Sequence, residues 1–201
     1  MTVYCPNTGS MRGCLTPGNG VCFSRSDNPK RKYPHTLEMI MVGQTWVGIN
    51  TSRTNHLVRE AMEKGLVREL GFPDEIRSEV RVSDRSRLDF LVIRGRKRIY
   101  VEVKNCTLVE NKIAMFPDAV TERGRRHLRE LMALKEKGWD AALIFCVQRM
   151  DAVRFSPAAE IDPAYSETLA MAAEAGVGVW AYQAEVGPGR IEIVRSLPVQ
   201  L

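Results

Sequence analysis

The sequence predicts an α+β protein in two parts, a small all-β unit followed by a larger region of mixed helices and strands. Two observations carry this. Up to about residue 50 the chain is rich in Gly, Pro, Asn and Ser between short β-forming runs. From about residue 55, apolar residues recur at helical spacing in segments that alternate with strand-like runs, and no repeat or low-complexity tract interrupts that order. A length of 201 residues allows one large domain or two small ones. A composition of 44% hydrophobic and 26% charged residues sets aside disordered, collagen-like and coiled-coil classes.

In the first part, strands are expected at residues 20–24, 36–42 and 45–49. Turn signals at Asn7-Thr8-Gly9, Pro17-Gly18-Asn19-Gly20 and Asp27-Asn28-Pro29 punctuate them. The unit is short for a closed barrel and is expected to be incomplete. In the second part, Leu57, Val58, Ala61 and Met62 give the stripe of a helix over 55–64 that Gly65 ends. Strands follow at 78–82, 87–93 and 98–106, the last two joined by a turn at Gly95. Leu128, Leu131 and Met132 mark one face of a helix over 118–137, stopped by Gly138. A mostly buried strand at 141–148, a helix at 163–174, and strands at 177–183 and 190–194 around Gly187-Pro188-Gly189 complete the chain.

The net charge of +5 is compatible with a polyanionic partner but is a modest excess. Cys5, Cys14, Cys22, Cys106 and Cys146 contain no close pair, which favours reduced thiols over a zinc site. The N-terminus has no basic and apolar leader pattern, and the apolar run 141–147 is too short for a bilayer. A soluble, cytoplasmic protein with no membrane partner is expected.

The chemistry-bearing residues lie on the central hairpin. The run Arg87-Leu88-Asp89-Phe90-Leu91-Val92-Ile93 is apolar inside except for Asp89, and an isolated carboxylate there must be solvated, paired or bound to a cation. One strand later, in Tyr100-Val101-Glu102-Val103-Lys104, side chains alternate, so Glu102 and Lys104 share the face opposite Val101 and Val103. If the two strands pair, Asp89 comes beside Glu102. Two carboxylates meeting one lysine suit phosphodiester hydrolysis, with Asp89 and Glu102 holding Mg²⁺ or Mn²⁺ and Lys104 orienting water or stabilising developing charge. The same spacing equally gives a cross-strand salt bridge to Lys104.

Glu60, on the preceding helix, is a candidate further metal ligand, or else an ion-pair partner of Lys64 four residues on. Arg123, Arg125 and Arg126 form either a phosphate-binding first turn or an ordinary solvated helix face. Lys30, Arg31 and Lys32, next to Tyr33, read as a loop touching a DNA backbone or as a surface charge run. His35, His56 and His127 are scattered and read as structural.

Five strings in the chain point to a family. They are Cys5-Pro6-Asn7-Thr8-Gly9-Ser10-Met11, Lys30-Arg31-Lys32-Tyr33-Pro34-His35-Thr36, and Arg85-Ser86-Arg87-Leu88-Asp89-Phe90. Further on come Glu102-Val103-Lys104-Asn105-Cys106-Thr107-Leu108 and Phe116-Pro117-Asp118-Ala119-Val120-Thr121-Glu122-Arg123-Gly124. From Cys5 to Leu201 the chain resembles the sugar fermentation stimulation protein family. The resemblance implies an N-terminal OB-like β-barrel over 1–52 and a restriction-endonuclease-like PD-(D/E)xK α/β domain over 53–201. It also implies a DNA-binding protein tied to regulation of sugar (maltose) metabolism, with a nuclease-like metal site. Asp89, Glu102 and Lys104 match the acids and lysine of that pattern, although Leu88 stands where the generic pattern has Pro. The family carries His where this chain has Tyr4, and further strands ahead of the Cys-Pro-Asn-Thr-Gly segment.

Three functions are then in play: a DNA-binding regulator using the fold only to hold DNA, an active Mg²⁺-dependent DNA endonuclease or exonuclease, and an oligosaccharide-binding protein using the barrel. No helix-turn-helix or zinc finger is evident, so DNA binding without sequence specificity is expected.

Overall fold

The computed structural model describes residues 1–83 and 86–201. Arg85, which opens one of the strings above, lies outside the described residues together with Asp84.

The first part is an antiparallel sheet of β1 (Val21–Arg25), β2 (His35–Val42) and β3 (Thr45–Gly48), with β2 in the middle. Val42 pairs with Thr45, so only two residues turn the chain, and Gly43 at φ +60 supplies the left-handed conformation such a turn needs. Tyr4 adds a parallel bridge, donating to the His35 carbonyl and accepting from the Leu37 amide, both at 2.8 Å. Leu37, Ile40 and Val47 close a small core with Met11, Cys14 and Ile49. Met39 and Trp46 pack instead into the larger core of the second part, so the sheet is open and is backed by the rest of the molecule.

A 3-10 turn at Thr51–Arg53, capped by the Asn50 side chain, leads into α1 (Thr54–Glu63). Then β4 (Glu75–Ser83), β5 (Ser86–Arg94) and β6 (Lys97–Cys106) run as an antiparallel meander. The chain continues through β7 (Leu108–Glu110), β8 (Ile113–Phe116), α2 (Glu122–Glu136), β9 (Asp140–Val147) and β10 (Arg154–Pro157). It closes with α3 (Pro163–Glu174), β11 (Gly178–Gly187) and β12 (Arg190–Leu197). The main sheet has the order β12-β11-β9-β6-β5-β4, with β6, β9 and β11 parallel to one another.

Strand β9 shows why this sheet is buried on both faces. Ala142, Ile144 and Cys146 join the core on the α1 side, while Ala141, Leu143, Phe145 and Val147 join the core under α2 and α3. A parallel central strand covered by helices on both sides reads as one continuous apolar run, which is the pattern of 141–147.

Three short strands were not foreseen: β7, β8 and β10 form a separate small sheet in the order β10-β8-β7. The helix expected from residue 118 begins at Glu122, because Thr121 caps it, accepting from the Gly124 amide at 3.0 Å. Asp118 is thereby left outside the helix. Among the described residues, no helix is long and apolar enough to cross a membrane.

Candidate functional site

The β5–β6 ladder runs from Arg94↔Lys97 to Phe90↔Val101, and the next facing pair is Asp89 with Glu102. There the strands fork. Asp89 Oδ2 takes over the ladder by accepting from the Val103 amide at 2.8 Å, and Oδ1 accepts from Asn55 Nδ2, in the first turn of α1, at 2.8 Å. Beyond the fork β6 stays paired with β9 as far as Cys106↔Val147.

Side-chain alternation along β6 divides the site as the sequence predicts. Val101 and Val103 enter the core on the α1 side, and Glu102 and Lys104 meet His127 of α2 on the other. Glu102 is 3% exposed. Its Oε1 lies 2.5 Å from Lys104 Nζ and against Nδ1 of the equally buried His127, while Nζ is 3.2 Å from that ring nitrogen. Glu102 Oε2 is buried and, among the described residues, has no hydrogen-bond partner. A buried acceptor left unmade is expensive, so this oxygen is the anomaly of the site.

The electrostatics agree with two acids sharing one space. Burial, reinforced by the charge of Glu102, pushes Asp89 up to about 6, against hydrogen bonds from Val103 and Asn55. Burial also works to raise Glu102, but the His127 hydrogen bond and the Lys104 charge outweigh it and hold the carboxyl below its ordinary range.

The constellation opens to clefts on two sides. Lys104 lines one of about 420 Å³, walled by Asn7, Thr8 and Gly9 on one side and by Asp118, Thr121 and Arg123 on another. Asp89 lines a second of about 540 Å³ with Arg59, Ser78 and Glu79. Thr51 and Asn55 border both. The donor set suits a hard cation: two carboxylates, one holding a vacant lone pair, with room for further oxygens. Among the described residues no group of three or more His, Cys, Asp or Glu side chains converges as a metal cage. A cation here would therefore complete its sphere with water and substrate oxygens, as Mg²⁺ commonly does.

Several sequence-predicted residues lie elsewhere. Glu60 does not join the acids: five residues past Asn55 it is rotated by about 140° and displaced by about 7.5 Å along the helix. Its carboxylate sits 2.6 Å from Lys64 Nζ and faces a different cleft, shared with Glu38, Arg53 and Arg190. Arg125 turns inward, 3.1 Å from the buried Asp162, which also caps α3 by accepting from the Tyr165 amide and accepts from the Thr121 amide. It anchors helices and offers little to a phosphate. Arg123 and Arg126 are exposed, and Arg123 borders the Lys104 cleft. Arg31 donates to Thr36 at 2.9 Å and lies over the Tyr4 ring, Lys32 lies over Tyr33, and Lys30 is exposed. None of the three lines either cleft at the acids.

His127, read as structural from the sequence, is buried as such a residue is, and its contact with Glu102 is what the sequence did not name. Its signal was present: Gly124, His127, Leu128, Leu131 and Leu134 form the buried stripe of α2, so the ring had to face the sheet that carries Glu102. Asn55 and Gln148, which donates to Asn105 Oδ1 at 2.6 Å and to Thr54 Oγ1 at 3.0 Å, had no such signal.

Comparison with known proteins adds three findings. The model of the sugar fermentation stimulation protein RE domain matches residues 52–190, and that of the SfsA N-terminal OB domain matches residues 1–49. A sugar fermentation stimulation protein homolog from Desulfotalea psychrophila is 51% identical over 201 residues, covering 100% of this chain and 83% of that one. The homolog from Pelobacter propionicus is likewise 51% identical over 201 residues, covering 100% and 87%. A solved structure of Pyrococcus furiosus SfsA in complex with Ca²⁺ superposes with a TM-score of 0.89 at 29% identity, over 98% of this chain and 84% of that one.

Proposed function

The chain belongs to the sugar fermentation stimulation protein family, with an OB domain and a restriction-endonuclease-like domain, and on that premise we propose that it binds DNA and hydrolyses phosphodiesters with a divalent metal at Asp89 and Glu102. The observation that carries this reading is the buried Glu102 Oε2, without a hydrogen-bond partner among the described residues, beside a second carboxylate whose proton affinity is raised by burial and, after that, by the charge of Glu102. A divalent cation relieves both at once. The Ca²⁺ of the Pyrococcus furiosus relative supports a cation of this class. When bound, Mg²⁺ or Mn²⁺ supplies Lewis-acid polarisation of the phosphate and a more acidic water.

The remaining roles belong to the chain. Asp89 is held by Asn55 and the Val103 amide, so its carboxylate is fixed before any ligand arrives. Lys104, at the cleft wall, places an ammonium where charge builds up on the phosphate in the transition state. His127 occupies Glu102 Oε1 and so orients Oε2, a positioning role of the kind that tunes a metal ligand from behind.

The test is Mg²⁺- and Mn²⁺-dependent cleavage of DNA by the wild type and by Asp89→Asn. Cleavage that disappears in the variant is expected, and equal cleavage by both would remove the assignment. A second reading is a regulator of sugar metabolism that holds DNA without cutting it. It is favoured by the pairing of Lys104 with a Glu102 that is 3% exposed. It predicts DNA binding that weakens steeply with salt and no cleavage with either metal.

A further inference from the structure

Two of the strings that mark the family, 5–11 and 116–124, are more than a hundred residues apart, yet they meet at the site. Ser10 Oγ donates to the Asp118 carbonyl at 2.7 Å, and the Met11 amide donates to Asp118 Oδ2 at 2.9 Å. Thr51 Oγ1 fixes the other end of the segment by donating to the Pro6 carbonyl at 3.1 Å. Asn7 Oδ1 accepts from the Gly9 amide at 2.8 Å and shapes the bend between them. Gly9 passes so close that a Cβ there would stand 3.0 Å from Asp118 Oδ2, and a larger residue would have to push that carboxylate aside by a few tenths of an ångström. Met11 is buried in the small core, whereas Thr8, Gly9 and Ser10 are exposed. The first part of the chain therefore lends the second part a wall of the Lys104 cleft.

That wall bounds a space of about 420 Å³ whose other borders include the cations Lys104 and Arg123 and the neutral groups Asn105 and Thr121. The volume is of the class that takes a small ligand, room for a nucleotide or two and too little for a duplex. Cations at the rim and neutral hydrogen-bonding groups along the wall suit a phosphodiester backbone whose bases are free to splay, and the Asp118 carboxylate on the same wall is turned to the Met11 amide through Oδ2. We propose that this cleft grips a single strand of DNA beside the reacting phosphate, with the Asn7–Met11 segment as its wall and Asp118 as the residue that positions that wall. The proposal rests on the nucleic-acid reading above and narrows its substrate.

Fluorescence anisotropy tests it on the full chain with Ca²⁺ present, using a labelled oligothymidylate strand and a blunt duplex of matching length. The wild type is expected to bind the strand at least about tenfold more tightly than the duplex, roughly the worth of two hydrogen bonds. Asp118→Ala should collapse that ratio, and Ser10→Ala, which deletes one hydrogen bond, should reduce it by roughly threefold. A purely structural role for Asp118 would weaken both affinities in proportion and leave the ratio where it was, which would overturn the proposal. So would a wild type that prefers the duplex. Because the readout is binding, a preference for the strand with no cleavage in Mg²⁺ or Mn²⁺ would sink the hydrolytic reading and leave this one standing, while cleavage in either metal with no strand preference would do the reverse.

Discussion

Two buried glutamates, one on each side of the junction between the two parts of the chain, look alike in sequence and differ in what surrounds them. Glu38 on β2 is 7% exposed and fully engaged: Oε1 accepts from Ser24 and Arg53, and Oε2 from Asn50 at 2.9 Å and Arg53 at 2.6 Å. Glu102 on β6 also has a cation beside it, but both of its contacts fall on one oxygen and the other has none among the described residues. A carboxylate whose lone pairs are all answered is a joint. One left half-answered at similar burial is an incomplete site, because folding alone gives no reason to tolerate it.

The widest separation comes from exchanging each acid for its amide. Glu102→Gln is expected to lower metal-dependent cleavage by about a thousandfold, the scale of losing a directly acting electrostatic group. It should also lower the urea midpoint, since Lys104 and His127, 14% and 4% exposed, lose their charged partner. Glu38→Gln should cost about 1 kcal/mol of unfolding stability through weakened hydrogen bonds from Asn50 and the half-exposed Arg53, while cleavage persists. Identical profiles for the two variants would erase the distinction.

Next in size, His127→Ala should weaken Mn²⁺ binding by roughly tenfold to a hundredfold, as loss of a supporting group does at metal sites. Calorimetric titration of Mn²⁺ reads this directly, and unaltered affinity would leave His127 a packing residue.

The joint should also announce itself in acid. Burial works to raise the Glu38 carboxyl, but hydrogen bonds from Arg53, Ser24 and Asn50 outweigh it and hold it below its ordinary value of 4.5. A depressed acid contributes stability that is present above its unfolded value and is lost as pH falls through the folded one. Unfolding measured below pH 4.5 should therefore be steeper in the wild type than in Glu38→Gln, and parallel curves would contradict the engaged geometry. The smallest effect belongs to Glu60→Ala. It removes an exposed pair with Lys64 and is expected to cost about 0.3 kcal/mol with no change in Mn²⁺ affinity.

How far the sequence revealed all this follows from the range over which each signal acts. Alternation placed Glu102 and Lys104 on one face, and the apolar run of β9 declared a strand covered on both sides, because those patterns are written by adjacent residues. The stripe of α2 even carried His127, although a lone histidine among leucines does not name its partner across the layer. What stayed hidden was set by chain closure. Asp118 looks like the start of a helix until Met11 arrives from the other end of the sequence, and Arg125 looks like a solvent-facing cation until Asp162 comes beneath it. Short strands such as β7 and β8 lack the length to show a period at all.

The fork between β5 and β6 has an evolutionary corollary. Asp89 spends one oxygen doing the work of a backbone carbonyl, so exchanging it for an apolar residue would remove the link that holds β5 to β6 at the fork as well as one of the two acids. Glu102 holds no strand together through Oε2. If the proposed hydrolysis were lost in a lineage, selection on the fold would still retain Asp89 after Glu102 had drifted, and the order in which the two acids vanish across relatives would record it.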